Sequence, residues 1–315
     1  MIDEYGRNID YLRLSVTDLC NLRCVYCMPE EGTKKLEHKD ILSVDEMEEI
    51  AVSAASLGIK KIRLTGGEPL VRRGILEIIS RIAAIPGISE VALTTNGTML
   101  ADFAAPLKDA GLHRVNISVD AFDPVAYKEI TRGGEIDSVF AGIRAAIDVG
   151  LTPIKLNAVL IGGVNDSLIK PLIAWTEDAD FRVRFIEIMP IGECSNWNKE
   201  HFVSISKVLE VEPALEHIGT DGVSNLYQKP GSKGSVGLIS PISNHFCPTC
   251  NKLRVTSDGK LKPCLHSAEE INLRGLHGDA LTQRIREAIL AKPFKHELAK
   301  ETVSRSMRGM SAIGG

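Results

Sequence analysis

The sequence lacks a large excess of charge of either sign. Its 315 residues include 37 Lys and Arg against 41 Asp and Glu, which gives a formal net charge of −4. Nucleic-acid-binding domains are typically basic, with Lys and Arg clustered on one face. The charge balance therefore argues against a nucleic-acid partner.

A long uninterrupted apolar run is also missing. Residues 1–10 are acidic and polar, without the apolar core of a secretory signal peptide. The most apolar long stretch, 145–164, is interrupted by Asp148, Lys155 and Asn157, so we do not expect a membrane span. These absences predict a cytoplasmic protein with no membrane partner.

Neither of the two cysteine groups in the chain contains a fourth cysteine. The seven cysteines form a C-x3-C-x2-C group at 20–27, a C-x2-C-x13-C group at 247–264, and the single Cys194. In a reducing compartment such grouping favours metal or redox chemistry over disulfides. The two triads are Cys20, Cys24 and Cys27, and Cys247, Cys250 and Cys264.

Two kinds of metal site remain open for these triads. A structural zinc site needs four ligands, and His38, His245 or His266 could complete one. Three thiolates on a four-iron cluster instead leave one iron open to a small molecule, as a catalytic cluster requires. Cys194 is interpreted as an ordinary thiol in a loop.

The chain is long enough for two domains, or for one barrel with an appendage. Strand patterns at 12–16, 61–66, 91–95, 114–119, 153–160 and 182–188 alternate with helical patterns at 44–57, 74–84, 99–110, 136–149 and 167–178. Strands separated by helices of this length form a parallel sheet. Six of them predict an incomplete (β/α)6 TIM-type barrel. Helix boundaries are indicated by a Ser43–Glu46 capping box and by Gly58, Gly111 and Gly150 just after predicted helices.

One face of the predicted sheet is polar, although parallel strands covered on both faces are normally apolar throughout. In strand 12–16, Leu12 and Leu14 alternate with Arg13, and the later strands repeat this pattern with Arg63 and Lys155. Because helices must cover the apolar face, the polar face should line the barrel interior. We expect a lumen that encloses a large, polar, anionic molecule.

The loops after the first two strands carry the strongest motifs. The first cysteine triad follows the first strand, and a Gly66-Gly67-Glu68-Pro69 turn follows the second. Glycines let the backbone approach a ligand closely. The turn alone is weak evidence for a ligand site. It becomes a specific signal because it follows the C-x3-C-x2-C group by one strand–helix unit.

With these motifs the sequence resembles the radical S-adenosylmethionine (SAM) superfamily, and within it the GTP-cyclising family that begins molybdenum cofactor biosynthesis. The resemblance covers essentially the whole chain. It includes LRLSVT at 12–17, IRLTGGEP at 62–69, TTNG at 94–97, NISVD at 116–120, KLNAV at 155–159, RFIEIMPIG at 184–192, TSDGKLKPCL at 256–265 and the final Gly314-Gly315.

The resemblance implies two [4Fe–4S] clusters, one on each cysteine triad, with SAM as the second cofactor and GTP as the substrate. It implies a 5′-deoxyadenosyl radical that starts conversion of GTP to (8S)-3′,8-cyclo-7,8-dihydroguanosine 5′-triphosphate. It assigns SAM binding to Tyr26, Gly67, Ser118 and Met189, GTP binding to Arg13, Arg63, Thr94, Lys155, Lys252 and Arg254, and a catalytic role to Gly314 and Gly315.

One residue departs from the family pattern. Lys252 lies where the family more usually has arginine. A lysine supplies a point charge and an arginine a bidentate fork. We therefore expect the charge at this position to be kept, with poorer geometric definition.

The C-terminal region is predicted to be a small cluster-bearing cap. The chain divides into a radical SAM core at 1–225 and a region at 226–315 that holds the second triad and the double-glycine tail. Residues 252–256 and 260–262 flank Ser257-Asp258-Gly259, a hairpin signal, and a last helix is expected at 280–290.

The resemblance also implies partners. These are a low-potential electron donor such as flavodoxin or ferredoxin, a second copy of the chain in a homodimer, and pyranopterin monophosphate synthase as the next enzyme of the pathway. Two other interpretations of the function stay open. The protein could be a radical SAM peptide-modifying maturase, or a zinc-ribbon interaction protein in which His266 completes the second triad.

Overall fold

The structure is a computed structural model that describes residues 1–33, 36–197, 199–296, 298 and 303–314. Its first half alternates strands and helices. The strands are β1 (Tyr11–Ser15), β2 (Lys61–Thr65), β3 (Glu90–Thr95), β4 (Arg114–Ser118), β5 (Lys155–Leu160) and β6 (Arg182–Glu187). The helices between them are α1 (Val44–Ser56), α2 (Ile75–Ala83), α3 (Leu100–Asp109), α4 (Pro124–Thr131), α5 (Ile136–Asp148) and α6 (Ile169–Asp178).

The second half adds shorter elements. They are α7 (Lys207–Val211), β7 (Glu216–Asp221), β8 (Ser224–Gln228), β9 (Ser235–Ile239), β10 (Lys252–Val255), β11 (Lys260–Lys262), β12 (Ile271–Asn272), α8 (Gly278–Leu290) and α9 (Met310–Ile313). No helix in the described ranges has both the length and the apolar character that crossing a bilayer requires.

All these strands belong to one sheet, in the order β12-β11-β10-β1-β2-β3-β4-β5-β6-β9-β8-β7. Neighbouring strands from β1 to β6 are parallel, which confirms the predicted incomplete barrel. β10 lies parallel to β1 and β9 lies parallel to β6, so the C-terminal region extends the sheet at both edges. The division at 225 stays a prediction, with one sheet running through both parts.

Helices cover the apolar face of the strands. Leu12, Leu14, Ile62 and Leu64 are almost completely buried in a core shared with α1, α2, α3 and α5. The opposite face carries the arginines and lysines and borders an internal cavity. Alternation along each strand thus separates the core from the chamber.

Local signals place the ends of the helices. The Ser43 hydroxyl accepts from the Glu46 N–H at 3.1 Å, and the Glu46 carboxylate accepts from the Ser43 N–H at 2.7 Å. Gly58, Gly111 and Gly150 follow helices with φ of 90°, 95° and 71°, as expected for glycine at this position. The predicted strands and helices end within two residues of the observed ones.

Seven elements of the described chain were missed at the sequence level, namely α4, α7, α9, β7, β8, β9 and β12. α4 begins with an Asp123 cap and Pro124, which is a recognisable start signal. β7 is largely polar and exposed, and α9 has only four residues, too few for helical periodicity. The 252–256 and 260–262 hairpin is confirmed as β10 and β11, and the last helix as α8.

Candidate active site

The polar face of the sheet encloses a cavity of about 400 Å³. The loops after β1, β2, β4 and β6 meet at one end of it, at the carboxyl ends of the parallel strands. Residues from both halves of the chain line it. They include Arg13, Cys20, Cys24, Tyr26, Cys27, Arg63, Gly67, Thr94, Ser118, Lys155, Met189, Lys252, Arg254 and Met310.

The first cysteine triad lies at one end of this chamber. Its loop is held by the Cys27 N–H, which donates to the Cys24 carbonyl at 2.9 Å, and by Arg23, whose Nη1 donates to the Cys20 carbonyl at 2.7 Å. Burial raises the pKa of Cys24 and raises that of Cys27 to about 12. A thiolate in this position needs a positive partner, and a metal centre supplies one. The donor set therefore fits an iron–sulfur cluster.

Among the described His, Cys, Asp and Glu residues, no group of three is arranged to hold one ion. The His266 Nδ1 instead lies 3.1 Å from the Ser304 hydroxyl. Cys194 is buried, and its thiol donates to the Tyr26 carbonyl at 3.1 Å. The zinc alternative gains no support from this arrangement.

Two glycines allow the turn after β2 to pack against the first cysteine loop. The Gly67 N–H donates to the Thr17 carbonyl at 3.0 Å, and the Glu68 N–H donates to the Leu19 carbonyl at 2.8 Å. A Cβ on Gly66 would lie 2.2 Å from the Thr17 carbonyl oxygen, and one on Gly67 would lie 2.3 Å from that of Leu19. Only glycine permits this approach.

Glu68 fixes the neighbouring loop from inside the protein. Its carboxylate accepts hydrogen bonds from the Leu70 N–H at 3.0 Å, the Thr95 hydroxyl at 2.8 Å and the Asn96 N–H at 2.7 Å. Burial raises the pKa of Glu68 to about 7, and these donors oppose that shift. Glu68 thus ties the β2 and β3 loops together beside the first triad.

The four predicted SAM residues, Tyr26, Gly67, Ser118 and Met189, all line the chamber. The Tyr26 hydroxyl donates to Asp120 Oδ2 at 2.7 Å, and Asp120 Oδ1 accepts from the Val159 N–H at 2.8 Å. Burial raises the pKa of Asp120 to about 6. Asp120 belongs to the NISVD motif at 116–120 but had no predicted role, although its place two residues after β4 was a usable signal.

Three arginines form a row across adjacent strands. Arg254 on β10, Arg13 on β1 and Arg63 on β2 lie in register, so their side chains leave the same face side by side. Burial lowers the pKa of each to about 10, and repulsion within the row contributes. The buried Nε atoms of Arg13 and Arg63, and the Thr94 hydroxyl, have no hydrogen-bond partner among the described residues. Donors of this kind suit a polyanion.

The other predicted cations differ in their surroundings. Lys155 forms an ion pair with Asp221. Lys252 Nζ lies 5.8 Å from the ring centroids of Tyr11 and Phe246, and burial lowers the pKa of Lys252 to about 8.

Arg184 on β6 is a further cation of the chamber, and the sequence analysis gave it no role. Its Nε donates to Asn157 Oδ1 at 2.8 Å, and burial lowers its pKa to about 9. The alternation of Arg182 and Arg184 with Val183 and Phe185 would have indicated it.

The second triad is gathered near the arginine row. Burial raises the pKa of Cys247 and acts in the same direction on Cys250, but Lys292, Lys252 and Arg254 outweigh it there and lower the pKa of Cys250. A negative charge on Cys250 in turn raises the pKa of Arg13, against the effect of burial. Three grouped thiols beside several cations fit an anionic iron–sulfur cluster.

Two buried cations that the sequence analysis did not single out frame the second triad. Lys292 Nζ donates to the carbonyls of Lys252 at 2.9 Å and Pro263 at 2.7 Å. Arg7 donates to the Cys247 carbonyl at 3.1 Å and to the Lys292 carbonyl at 3.2 Å. The segments next to all three cysteines are thereby held by residues distant in sequence.

The C-terminal segment enters the chamber. Met310 at the start of α9 borders the cavity, and the Gly314 carbonyl accepts a hydrogen bond from Arg254 Nη1. Gly314 has φ of 80°, and a Cβ there would lie 2.0 Å from the Thr65 hydroxyl. The structure thus places Gly314 between β10 and β2, whereas Gly315 lies outside the described residues.

Substitution of Gly67 tests the contact between its turn and the first cysteine loop. We expect Gly67→Ala to displace the loop that carries Cys20, because its Cβ would meet the Leu19 carbonyl. Iron and sulfide per chain after anaerobic reconstitution should fall by about half, since the second triad remains intact.

Gly163→Ala is the control for Gly67→Ala. Gly163 has φ of 72°, so alanine is strained there, but its Cβ would meet no atom within 4 Å. This variant should keep its iron. Full iron content in Gly67→Ala would contradict the steric argument.

Comparison with known proteins gives the family. The Radical SAM superfamily matches residues 14–176 and Molybdenum Cofactor Synthesis C matches 181–298. GTP 3′,8-cyclase of Alkaliphilus oremlandii (strain OhILAs) is 51% identical over 320 residues, and that of Alkaliphilus metalliredigens (strain QYMF) is 50% identical over 320 residues; each alignment covers 100% of both chains. Streptococcus suis SuiB has the same fold at 14% identity, with a TM-score of 0.65 over 92% of this chain and 68% of that one. The chain therefore belongs to the radical SAM superfamily and, within it, to the GTP 3′,8-cyclase family.

Proposed function

We propose that the chain converts GTP to (8S)-3′,8-cyclo-7,8-dihydroguanosine 5′-triphosphate, the first step of molybdenum cofactor biosynthesis. Family membership implies two [4Fe–4S] clusters and SAM as its cofactors. The observation that supports this function best is a single chamber with three thiols at one end and a row of buried arginines at the other. Such a chamber can hold a radical source against a nucleoside triphosphate.

Cys20, Cys24 and Cys27 would hold the first cluster, and Cys247, Cys250 and Cys264 the second. A reduced cluster bound at the first triad would supply the electron for cleavage of SAM to methionine and a 5′-deoxyadenosyl radical, the species that would remove the ribose 3′ hydrogen. The chain's own part is to position both molecules and keep water out, because a primary carbon radical attacks whatever lies nearby.

The chamber wall beside the first triad would bind SAM. Tyr26, Gly67, Ser118 and Met189 all line the chamber. The bond from Tyr26 to Asp120 fixes the loop between the second and third cysteines relative to β4. Gly67 keeps the wall free of a side chain, so the ligand can approach the backbone.

The arginine row would bind the triphosphate of GTP. Arg13, Arg63 and Arg254 offer donors from adjacent strands, with Thr94, Lys155 and Lys252 around them. The triphosphate is chemically unchanged by the reaction. Its binding energy therefore serves to hold the ribose and purine in the geometry of bond formation between C3′ and C8.

The electron donor, the oligomeric state and the compartment are further parts of the proposal. We propose a low-potential donor such as flavodoxin or ferredoxin, a homodimer, a cytoplasmic location, and transfer of the product to pyranopterin monophosphate synthase. The requirement for single-electron reduction supports the first of these.

The decisive experiment is anaerobic incubation of the reconstituted protein with SAM, dithionite and GTP, followed by identification of the products. We expect 5′-deoxyadenosine and the cyclic GTP derivative in equal amounts. 5′-Deoxyadenosine formed without consumption of GTP would keep the superfamily chemistry and refute this substrate, as the peptide-modifying alternative requires.

Substitutions of the two β10 cations should separate their roles in GTP binding. We expect Arg254→Ala to raise the Kd for GTP about 30-fold, because a charge-assisted contact is lost, and Lys252→Ala to raise it about 5-fold. Equilibrium dialysis without reductant measures binding alone. Arg286→Ala, exposed on α8, is the control. An unchanged Kd in Lys252→Ala would remove Lys252 from the GTP site.

A substitution in the tail should stop turnover without loss of the clusters. In Gly314→Ala the new Cβ would meet the Thr65 hydroxyl, so the tail cannot keep its place in the chamber. We expect the rate of GTP consumption to fall at least about 100-fold, with normal iron content. One alanine added after Gly315 should have the same effect.

Gly309→Ala serves as the matched control for the tail variant. The nearest atom to a Cβ at Gly309 is the Cys27 carbonyl oxygen, at 3.9 Å. This variant should keep its turnover. Normal activity in Gly314→Ala would rule out a catalytic role of the tail.

A further inference from the structure

The tip of the β7–β8 hairpin reaches into the chamber. The hairpin pairs through β8 with β9, and β9 pairs with β6, so its base belongs to the far edge of the sheet. Its turn residues, Asp221, Gly222 and Val223, border the cavity. A short segment outside the six-stranded barrel thus contributes a carboxylate to the proposed substrate site.

Asp221 contacts two cations at once. Its Oδ2 accepts from Lys155 Nζ, and from Arg182 Nη1 at 2.5 Å. Although burial acts in the opposite direction, these two partners lower the pKa of Asp221 to about 2, so the carboxylate is ionised at neutral pH. About a third of the side chain is exposed. Its partners Lys155 and Arg182 are the first residues of β5 and β6, so Asp221 lies at the amino ends of these strands.

Asp221 is unusual because most cations that line the chamber lack a carboxylate partner in the described chain. Arg13, Arg63 and Arg254 form no ion pair with a described residue, and Arg114 pairs with Glu90. Lys155 is therefore the one proposed GTP ligand in the described chain that also has a carboxylate partner. A phosphate group that binds Lys155 must come close to that carboxylate.

We propose that Asp221 is a specificity-determining residue that competes with the phosphates of GTP for Lys155 and so limits the affinity for the triphosphate. This inference rests on the proposed function. The product retains the triphosphate of the substrate, so the cation row holds both equally well. An internal carboxylate weakens that hold and allows the product to leave.

Removing the charge should reveal this competition. Repulsion between two like charges several ångströms apart in a partly solvated site corresponds to about tenfold in affinity. We expect Asp221→Asn to lower the Kd for GTP about tenfold and to lower the inhibition constant of the product by a similar factor. The gain should shrink at high salt, because added ions screen the removed charge.

The experiment uses the reconstituted holoenzyme under anaerobic conditions without reductant, and equilibrium dialysis with GTP and with GMP. GMP lacks the outer phosphates, so its Kd should change less than twofold. Asp221→Glu keeps the charge and should bind GTP like the unchanged protein. Glu216→Gln makes the same charge change at the exposed start of the same hairpin, away from the cavity, and should leave both Kd values unchanged.

The outcomes separate this inference from the proposed function. If the unchanged protein binds GTP and Asp221→Asn binds it no better or more weakly, Asp221 orients Lys155 and the competition is refuted, while the function stands. Equal gains for GTP and GMP would refute a specific effect on the outer phosphates. If the unchanged protein binds no GTP, the function and the inference both fail.

Discussion

Three arginine side chains lie next to one another on adjacent parallel strands, without a carboxylate partner in the described chain. Buried charges are unfavourable unless they are paired, so this row is stable only where something else offsets the repulsion. The parallel register of β10, β1 and β2 forces the three side chains together. The chamber is therefore suited to an anionic ligand. The apolar strand faces, packed against the outer helices, provide the stability that offsets the unfavourable burial of these charges.

The acidic groups in and beside the chamber are of two kinds. Glu68 and Asp120 are buried beside the first triad, and both accept backbone hydrogen bonds that hold loops in place. Asp221 contacts side-chain cations instead. The first kind of carboxylate fixes geometry and the second kind adjusts charge. A site that must bind SAM rigidly and release a triphosphate product needs both.

Most of the fold and part of the site could be predicted from local sequence patterns. Alternation along each strand placed Arg13, Arg63 and Lys155 on the interior face, because strand geometry alone decides the side on which a residue lies. The same rule was not applied to β6, so Arg184 was missed. Contacts between distant segments had no local signal: Arg7 reaches Cys247 across 240 positions, and Lys155 reaches Asp221 across 66. The roles proposed for individual SAM and GTP residues came from family resemblance, which periodicity could not have replaced.

Arg254 links the substrate site to the C-terminal tail. Its guanidinium has five N–H donors, so one side chain can bind the Gly314 carbonyl and still face a phosphate. β10 also begins two residues after Cys250, so this strand connects a cysteine of the second triad to Arg254, which belongs to the arginine row and contacts the tail. A lysine at this position would offer a point charge without a planar fork and could not define both contacts. Displacing the tail therefore disturbs an arginine of the proposed triphosphate site, and a ligand held by that arginine would stabilise the tail in return, because coupling between two sites on one side chain is reciprocal.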